Sequence, residues 1–319
     1  MRVVFAGSPA IAVPALEAVC ALSEVELVAV MTNPDSPKGR HGASEPTEVG
    51  AAAGRLVKEG LAETKFLILK PRKLDAALRK GLAALKPELL VSFAYGHIFG
   101  PKFLALFPFG GINIHPSLLP RYRGATPIQA AILHRDYETG LSIQRLAREM
   151  DSGDLLYQER VLLSNRETTE SLSAFMATKA AAALPRVLSA LAQGCVESYP
   201  QTGEVSYCAL ISKDQGRIDW IQSAEVIDAQ IRAFTPWPLS WTLHGGQYLH
   251  VLEAAPYPEA PYPEASAGTV LGIDKRAGIL VQTGDGVLCV TRLQYRTKKA
   301  LEWRVFLNGA RDFLNARLV

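Results

Sequence analysis

Apolar positions in the first half of the chain alternate between two periods. Arg2–Ala6 is a short apolar run ending at Gly7-Ser8-Pro9, the pattern of a buried strand and its turn. Ile11–Leu22 carries apolar residues at helical spacing, and Val25–Thr32 (VELVAVMT) is a second strand. Asn33–Pro46 is a loop rich in proline, glycine and charge, and Leu74–Leu85 is helical. Leu89–Ala94 (LLVSFA) and Gly111–His115 (GINIH) are further buried strands. Strand, helix and strand in this order predict an α/β domain with an open, Rossmann-like, mostly parallel sheet.

Thr126 followed by Pro127 predicts a helix start, a capping hydroxyl before a first-turn proline, and that helix extends to about His134. Leu141–Leu146 and Leu155–Leu163 are strands. Thr168–Gln193 is an Ala-rich helix with a kink expected at Pro185 and Gly194 just past its end. From about Tyr207 the pattern changes to short strands separated by Gly245-Gly246, Gly284-Asp285-Gly286 and Asn308-Gly309. A catalytic domain over 1–195, a linker over 196–206 and a small β-barrel over 207–319 are therefore expected. The doubled PYPEA at Pro256–Ala265 reads as a stiff surface loop.

Composition narrows the class. The chain has 319 residues, 48% hydrophobic and 20% charged, so it is neither a disordered nor a fibrous sequence. A net charge of +3 is too small to imply nucleic acid by itself. Cys20, Cys195, Cys208 and Cys289 form no CxxC pair and no metal spacing, as for thiols in a reducing compartment. The apolar run at the N-terminus is too short for a signal peptide, and nowhere do about 18 apolar residues run uninterrupted. A cytoplasmic monomer that uses no metal is expected.

Candidate chemistry gathers at Gly111–His115. In a strand, Asn113 and His115 point to one face while Ile112 and Ile114 point to the other, and Pro116 ends the strand. Ligands of open α/β sheets sit at the carboxyl ends of strands. An amide N–H can hold a developing oxyanion, and an imidazole can accept and return a proton near neutral pH. Asp151, in the turn of EMDSGDLL, could orient the ring. Read alone, a strand-end histidine is also a common structural residue, and Asp151 could equally be an Asx-turn former.

The run INIHPSLLPRYRGATPIQ (Ile112–Gln129), followed by MDSGD (Met150–Asp154), resembles the folate-dependent formyltransferases. The resemblance implies that Asn113, His115 and Asp151 are catalytic and that Ser117, Leu118, Leu119 and Pro120 contact folate. It also places Tyr95 and Gly96, within VSFAYGHIF, beside the pterin. AGSPAIAVPAL, TNPDSPKGR (Thr32–Arg40), RIDW (Arg217–Trp220), RAFTPWPLSW (Arg232–Trp241), TGDGVL and LQYRTKKA (Leu293–Ala300) resemble the branch whose acceptor is methionyl initiator tRNA. That branch implies an OB-like second domain, 10-formyltetrahydrofolate as co-substrate and tRNA as partner, with no membrane association.

Six bases lie between Arg292 and Arg311 (Arg292, Arg296, Lys298, Lys299, Arg304, Arg311) against the single acid Glu302. Arg296, Lys298 and Lys299 are candidates for phosphate contacts; a solvated basic face is the plain alternative. Lys38 and Arg40 lie in the loop that, by resemblance, reaches the acceptor stem. Relatives often carry lysines after that arginine, whereas this chain has His41-Gly42-Ala43-Ser44-Glu45, implying fewer phosphate contacts there. Trp237 and Trp241, in a Pro-Trp-Pro setting, read as packing residues rather than base-stacking ones. A nicotinamide enzyme is disfavoured because Gly7-Ser8-Pro9-Ala10-Ile11-Ala12 lacks the later glycines of GxGxxG. Formyl transfer to another amine, on glycinamide ribonucleotide or an amino sugar, is the nearer rival.

Overall fold

A computed structural model describes residues 1–37, 42–60, 66–258, 265–310 and 312–319. The chain divides into two compact units. The first comprises Met1–Pro127, Glu138–Leu162 and Ser173–Cys208; the second comprises Ile128–Tyr137, Leu163–Leu172 and Ala209–Val319.

In chain order, the elements up to Cys208 are β1 (Arg2–Gly7), α1 (Val13–Cys20), β2 (Glu26–Met31), α2 (Glu48–Lys58) and β3 (Leu67–Leu69). They continue with α3 (Ala76–Ala84), β4 (Leu89–Phe93), α4 (Pro101–Leu104), β5 (Gly111–His115) and α5 (Pro127–Leu133). Then come β6 (Glu138–Arg145), β7 (Leu155–Leu162) and α6 (Thr169–Ala192). One sheet runs β7-β6-β5-β4-β1-β2-β3. The pairs from β5 to β3 are parallel; β6 and β7 join antiparallel. The central strands β1, β2 and β4 are apolar on both faces because helices cover both, and Val3, Val4, Phe5, Leu89, Leu90 and Val91 are fully buried. The direction of winding reverses between β1 and β4, which opens a crevice at the carboxyl ends of the parallel strands.

Helix starts follow local capping. Thr47 Oγ1 accepts from Gly50 N (3.0 Å) at the head of α2, and Asp75 Oδ1 from Leu78 N (3.0 Å) at the head of α3. α6 includes Pro185, and Gly194 follows it with φ +69. The expected linker 196–206 is bonded within the first unit: Tyr199 exchanges both backbone hydrogen bonds with Leu155, and Ser206 O accepts from Arg123 N (2.9 Å).

The second unit contains α7 (Ala224–Phe234), β8 (Ser240–His244), β9 (Gln247–Pro256), β10 (Val270–Asp274), β11 (Gly278–Gln282), β12 (Val287–Tyr295) and α8 (Trp303–Gly309). Its sheet is antiparallel in the order β8-β9-β12-β11-β10. The segment Ala316–Val319 joins the two edges. Val319 exchanges hydrogen bonds with Leu243 of β8, while Ala316 O and Leu318 bond Val270 and Gly268 beside β10. Inside lie Trp220, Ile227, Ile231, Leu249, Val251, Val281 and Phe313. The unit is less purely β than its turn spacing implies. Ser223 caps α7, whose Ile227 and Ile231 face that core. Most of the doubled PYPEA lies outside the described residues.

Candidate active site

β5 ends the parallel part of the sheet, and its register with β6 builds the site. Asn113 pairs opposite Gln144, and His115 opposite Ser142. All four side chains therefore share one face. His115 and Ser142 are buried, and Gln144 is 1% exposed. An apolar strand thus carries its polar positions inward, where each must find a partner.

Asp151 supplies much of that partnership. It sits in the turn between β6 and β7 with φ +51. Two residues on, a Cβ on Gly153 would stand 1.9 Å from Arg145 O, so the turn closes only around glycine there. The Asp151 carboxylate accepts from Gln144 Nε2 (2.8 Å), Gly124 N (2.9 Å) and Asn113 Nδ2 (3.2 Å). Its Oδ2 lies 3.6 Å from His115 Nδ1, and its side chain is 12% exposed. Hydrogen bonds to a charged group contribute roughly 1.5–3 kcal/mol each. Three of them fix this carboxylate far more firmly than the turn alone could.

His115 Nε2 stands 2.8 Å from the Tyr122 carbonyl. A carbonyl only accepts, so Nε2 carries a proton. The other ring nitrogen, facing Asp151, is the one free to take up or release a proton. The Asn113 amide has two hydrogens and donates one of them to Asp151. The second is the candidate donor to a reacting oxygen.

The expected folate segment continues directly from His115. Ser117, Leu119 and Pro120 are buried and Leu118 is partly exposed. Ser117 Oγ donates to Arg121 O (2.6 Å). Ser142 Oγ donates to Ser117 O (2.7 Å) and accepts from Leu119 N (3.2 Å). Gln158 Nε2 donates to Leu119 O (3.0 Å). The segment is therefore a rigid shelf whose own hydrogen bonds face inward. Gly96 is exposed with φ +81. The Tyr95 ring, by contrast, packs among Val4, Ala6, Met31 and Phe103, and its hydroxyl has no partner among the described residues. Burial pushes that hydroxyl up to about 12. Of the two residues expected beside the pterin, Gly96 is thus exposed and the Tyr95 side chain is buried.

Sequence reasoning missed Gln144, Ser142, Gln158 and Gln201. A signal existed for two of them. In GLSIQR, Ser142 and Gln144 alternate with Leu141 and Ile143 in a strand buried on both faces, which marks polar groups with buried work to do. Gln201 gave none, because its partners are distant in sequence.

Arg296, Lys298 and Lys299 belong to the second unit, exposed on the turn after β12. Lys298 N donates to Tyr295 O (2.9 Å), which shapes that turn. Lys38, Arg40 and Arg311 lie outside the described residues. The local excess of five charges needs correction: Glu253 of β9 pairs with Arg292 at 2.9 Å, an acid that strand pairing brings in. Trp237 also differs from expectation, since it stands on a turn 52% exposed instead of packed, while Trp241 packs against Tyr248 in a tilted ring pair (4.7 Å between centroids). Among the described residues no group of His, Cys, Asp or Glu could hold a metal ion, and no helix is long and apolar enough to cross a membrane.

An amide donor, an imidazole and a carboxylate at one strand end equip an α/β sheet for acyl transfer to a nucleophile. The chain belongs to the formyl transferase family: the formyl transferase model matches residues 1–188, and the model of that family's C-terminal domain matches residues 210–311. It is 48% identical to the methionyl-tRNA formyltransferase of Treponema denticola over 98% of each chain. It is 43% identical to that of Treponema pallidum, over 100% of this chain and 99% of the relative. Among solved structures it resembles HypX from Aquifex aeolicus in complex with tetrahydrofolic acid, with TM-score 0.64 and 16% identity. That match covers 98% of this chain and 48% of HypX, so the chain spans about half of that protein and shares its fold.

Proposed function

We propose that this enzyme transfers the formyl group of 10-formyltetrahydrofolate to the free amino group of methionyl initiator tRNA, giving formylmethionyl-tRNA for translation initiation in the cytoplasm. The observation that carries the chemistry is the convergence of Asn113, His115 and Asp151 at the end of β5. The full-length match to methionyl-tRNA formyltransferases carries the choice of acceptor.

In this reading the amine attacks the formyl carbon and the formyl oxygen becomes negative. Asn113 donates its second N–H to that oxygen. The attacking amine must lose a proton, and folate N10 must gain one to leave as the C–N10 bond breaks. His115 relays that proton through its Asp151-facing nitrogen, and Asp151 stabilises the charged ring. No external oxidant or acid is needed, because the proton shed by one nitrogen is taken by the other. The shelf Ser117–Pro120 and the loop at Gly96 hold the folate, and Arg296, Lys298, Lys299, Lys38 and Arg40 contact the tRNA backbone.

The experiment is transfer of labelled formyl from 10-formyltetrahydrofolate, with methionyl initiator tRNA, glycinamide ribonucleotide and an amino-sugar nucleotide offered together. Label on the tRNA alone is expected. Label on another amine would retain the catalytic corner and overturn the acceptor.

A further inference from the structure

Gln201 lies in the segment 196–206 and makes a dense set of contacts at the back of the catalytic corner. Its Nε2 lies 2.8 Å from Gly153 O, 2.9 Å from Asp151 O and 3.2 Å from Gln144 Oε1, two hydrogens serving three acceptors so that one N–H is shared. Its Oε1 accepts from Arg123 Nη2 (2.7 Å) and Nε (3.1 Å). The amide orientation is unambiguous, since one end meets only acceptors and the other only donors. Gln144, so held at its Oε1, turns its Nε2 toward Asp151 Oδ1. Arg123, Gln201 and Gln144 therefore form one hydrogen-bonded chain that ends on the catalytic carboxylate.

The arrangement answers a local problem. Asp151 occupies a left-handed backbone position, in a turn whose own carbonyls need partners. Gln201 ties two of those carbonyls, one on either side of Ser152, to a single amide. Gln144 then fixes the Asp151 side chain from the β6 side. Backbone and side chain of one residue are thus gripped by two glutamines that also grip each other.

We propose that Gln201, acting with Gln144, is a positioning residue for formyl transfer: it sets the place of the Asp151 carboxylate against His115 and Asn113 without touching either substrate. The inference rests on the proposed function for its kinetic test alone.

The test uses the full chain. Gln201→Ala lowers kcat about tenfold or more, because small misplacements of a catalytic group are costly, while KM for folate and tRNA stays within about twofold. Gln201→Met keeps the side chain's bulk and removes both polar ends, so it reports the same loss if the alanine variant folds poorly. In an Asp151→Asn background neither change lowers kcat further, because both act through that carboxylate. The ring-nitrogen chemical shifts of His115 move in Gln201→Ala with no substrate present. Unchanged kcat and unchanged His115 shifts would overturn the proposal, as would a loss that adds fully to that of Asp151→Asn. If wild type formylates no tRNA, the proposed function fails, yet the His115 shifts still decide the positioning role.

Discussion

The Asp151 carboxylate and the Lys298-Lys299 turn hold their charges by opposite means. Asp151 is nearly enclosed and accepts from three donors drawn from β5, β6 and the loop at Gly124. The two lysines are exposed on a turn shaped by backbone bonds. A buried charge must be matched atom by atom and so acquires a fixed position. An exposed one keeps its solvation and its freedom, which suits a rod of phosphates read as charge. Under the proposed function, chemistry at one carbon demands the first arrangement, and gripping a polyanion tolerates the second.

The comparison is broken most severely at the ring. His115→Ala or Asp151→Asn is expected to lower kcat about 10²–10⁴-fold while the fold survives, measured by single-turnover transfer. Activity within about threefold of wild type would remove both from the mechanism. Next come the tight turns. Gly153→Ala should cost about 3 kcal/mol or more, since its Cβ would lie 1.9 Å from Arg145 O. Gly284→Ala is its counterpart in the second unit, where Ile221 O is 1.7 Å away. Chemical denaturation should show each substitution destabilising its own unit.

A smaller effect is expected from Lys298→Ala/Lys299→Ala. It should weaken tRNA binding and flatten the slope of log affinity against log salt by about 2, with folate binding unchanged. An unaltered salt slope would reduce the turn to a solvated face. The smallest concerns Tyr95. Its orphaned hydroxyl makes Tyr95→Phe neutral or stabilising, by about 1 kcal/mol at neutral pH. Its ordinary value near 10 is raised to about 12. The stability this burial confers is complete below about pH 10 and lost as pH rises toward 12. Phenylalanine should remove that alkaline loss, visible in thermal melts between those limits.

The parallel sheet was legible in four of its strands because each is a local apolar run; the three-residue edge strand β3 was missed. Gly111–His115 was even bounded correctly, by Gly110 with φ +72 before it and Pro116 after it. α2 and α7 were missed although both carry a capping hydroxyl, at Thr47 and Ser223, since the reading followed glycines and prolines there. At the site, strand period alone puts Asn113 and His115 on one face, and the resemblance supplied their roles. Asp151 needed the resemblance, because 38 residues separate it from Asn113. Gln201 was invisible for the same reason at greater distance. The burial of the Tyr95 ring was not legible either, since an aromatic after a strand gives no sign of which layer it enters. Arg292 shows the corresponding failure for charge, as its acid arrives from β9.

The joining role of Ala316–Val319 also bears on how the chain leaves the ribosome. Until those residues emerge, Leu243 of β8 and Val270 of β10 lack these edge partners, leaving edges able to recruit strands from neighbouring nascent chains. The parallel sheet, complete by Leu162, has no such wait. Translation stalled shortly before residue 316 should therefore yield a species with a finished catalytic sheet and an adhesive, unfinished second one.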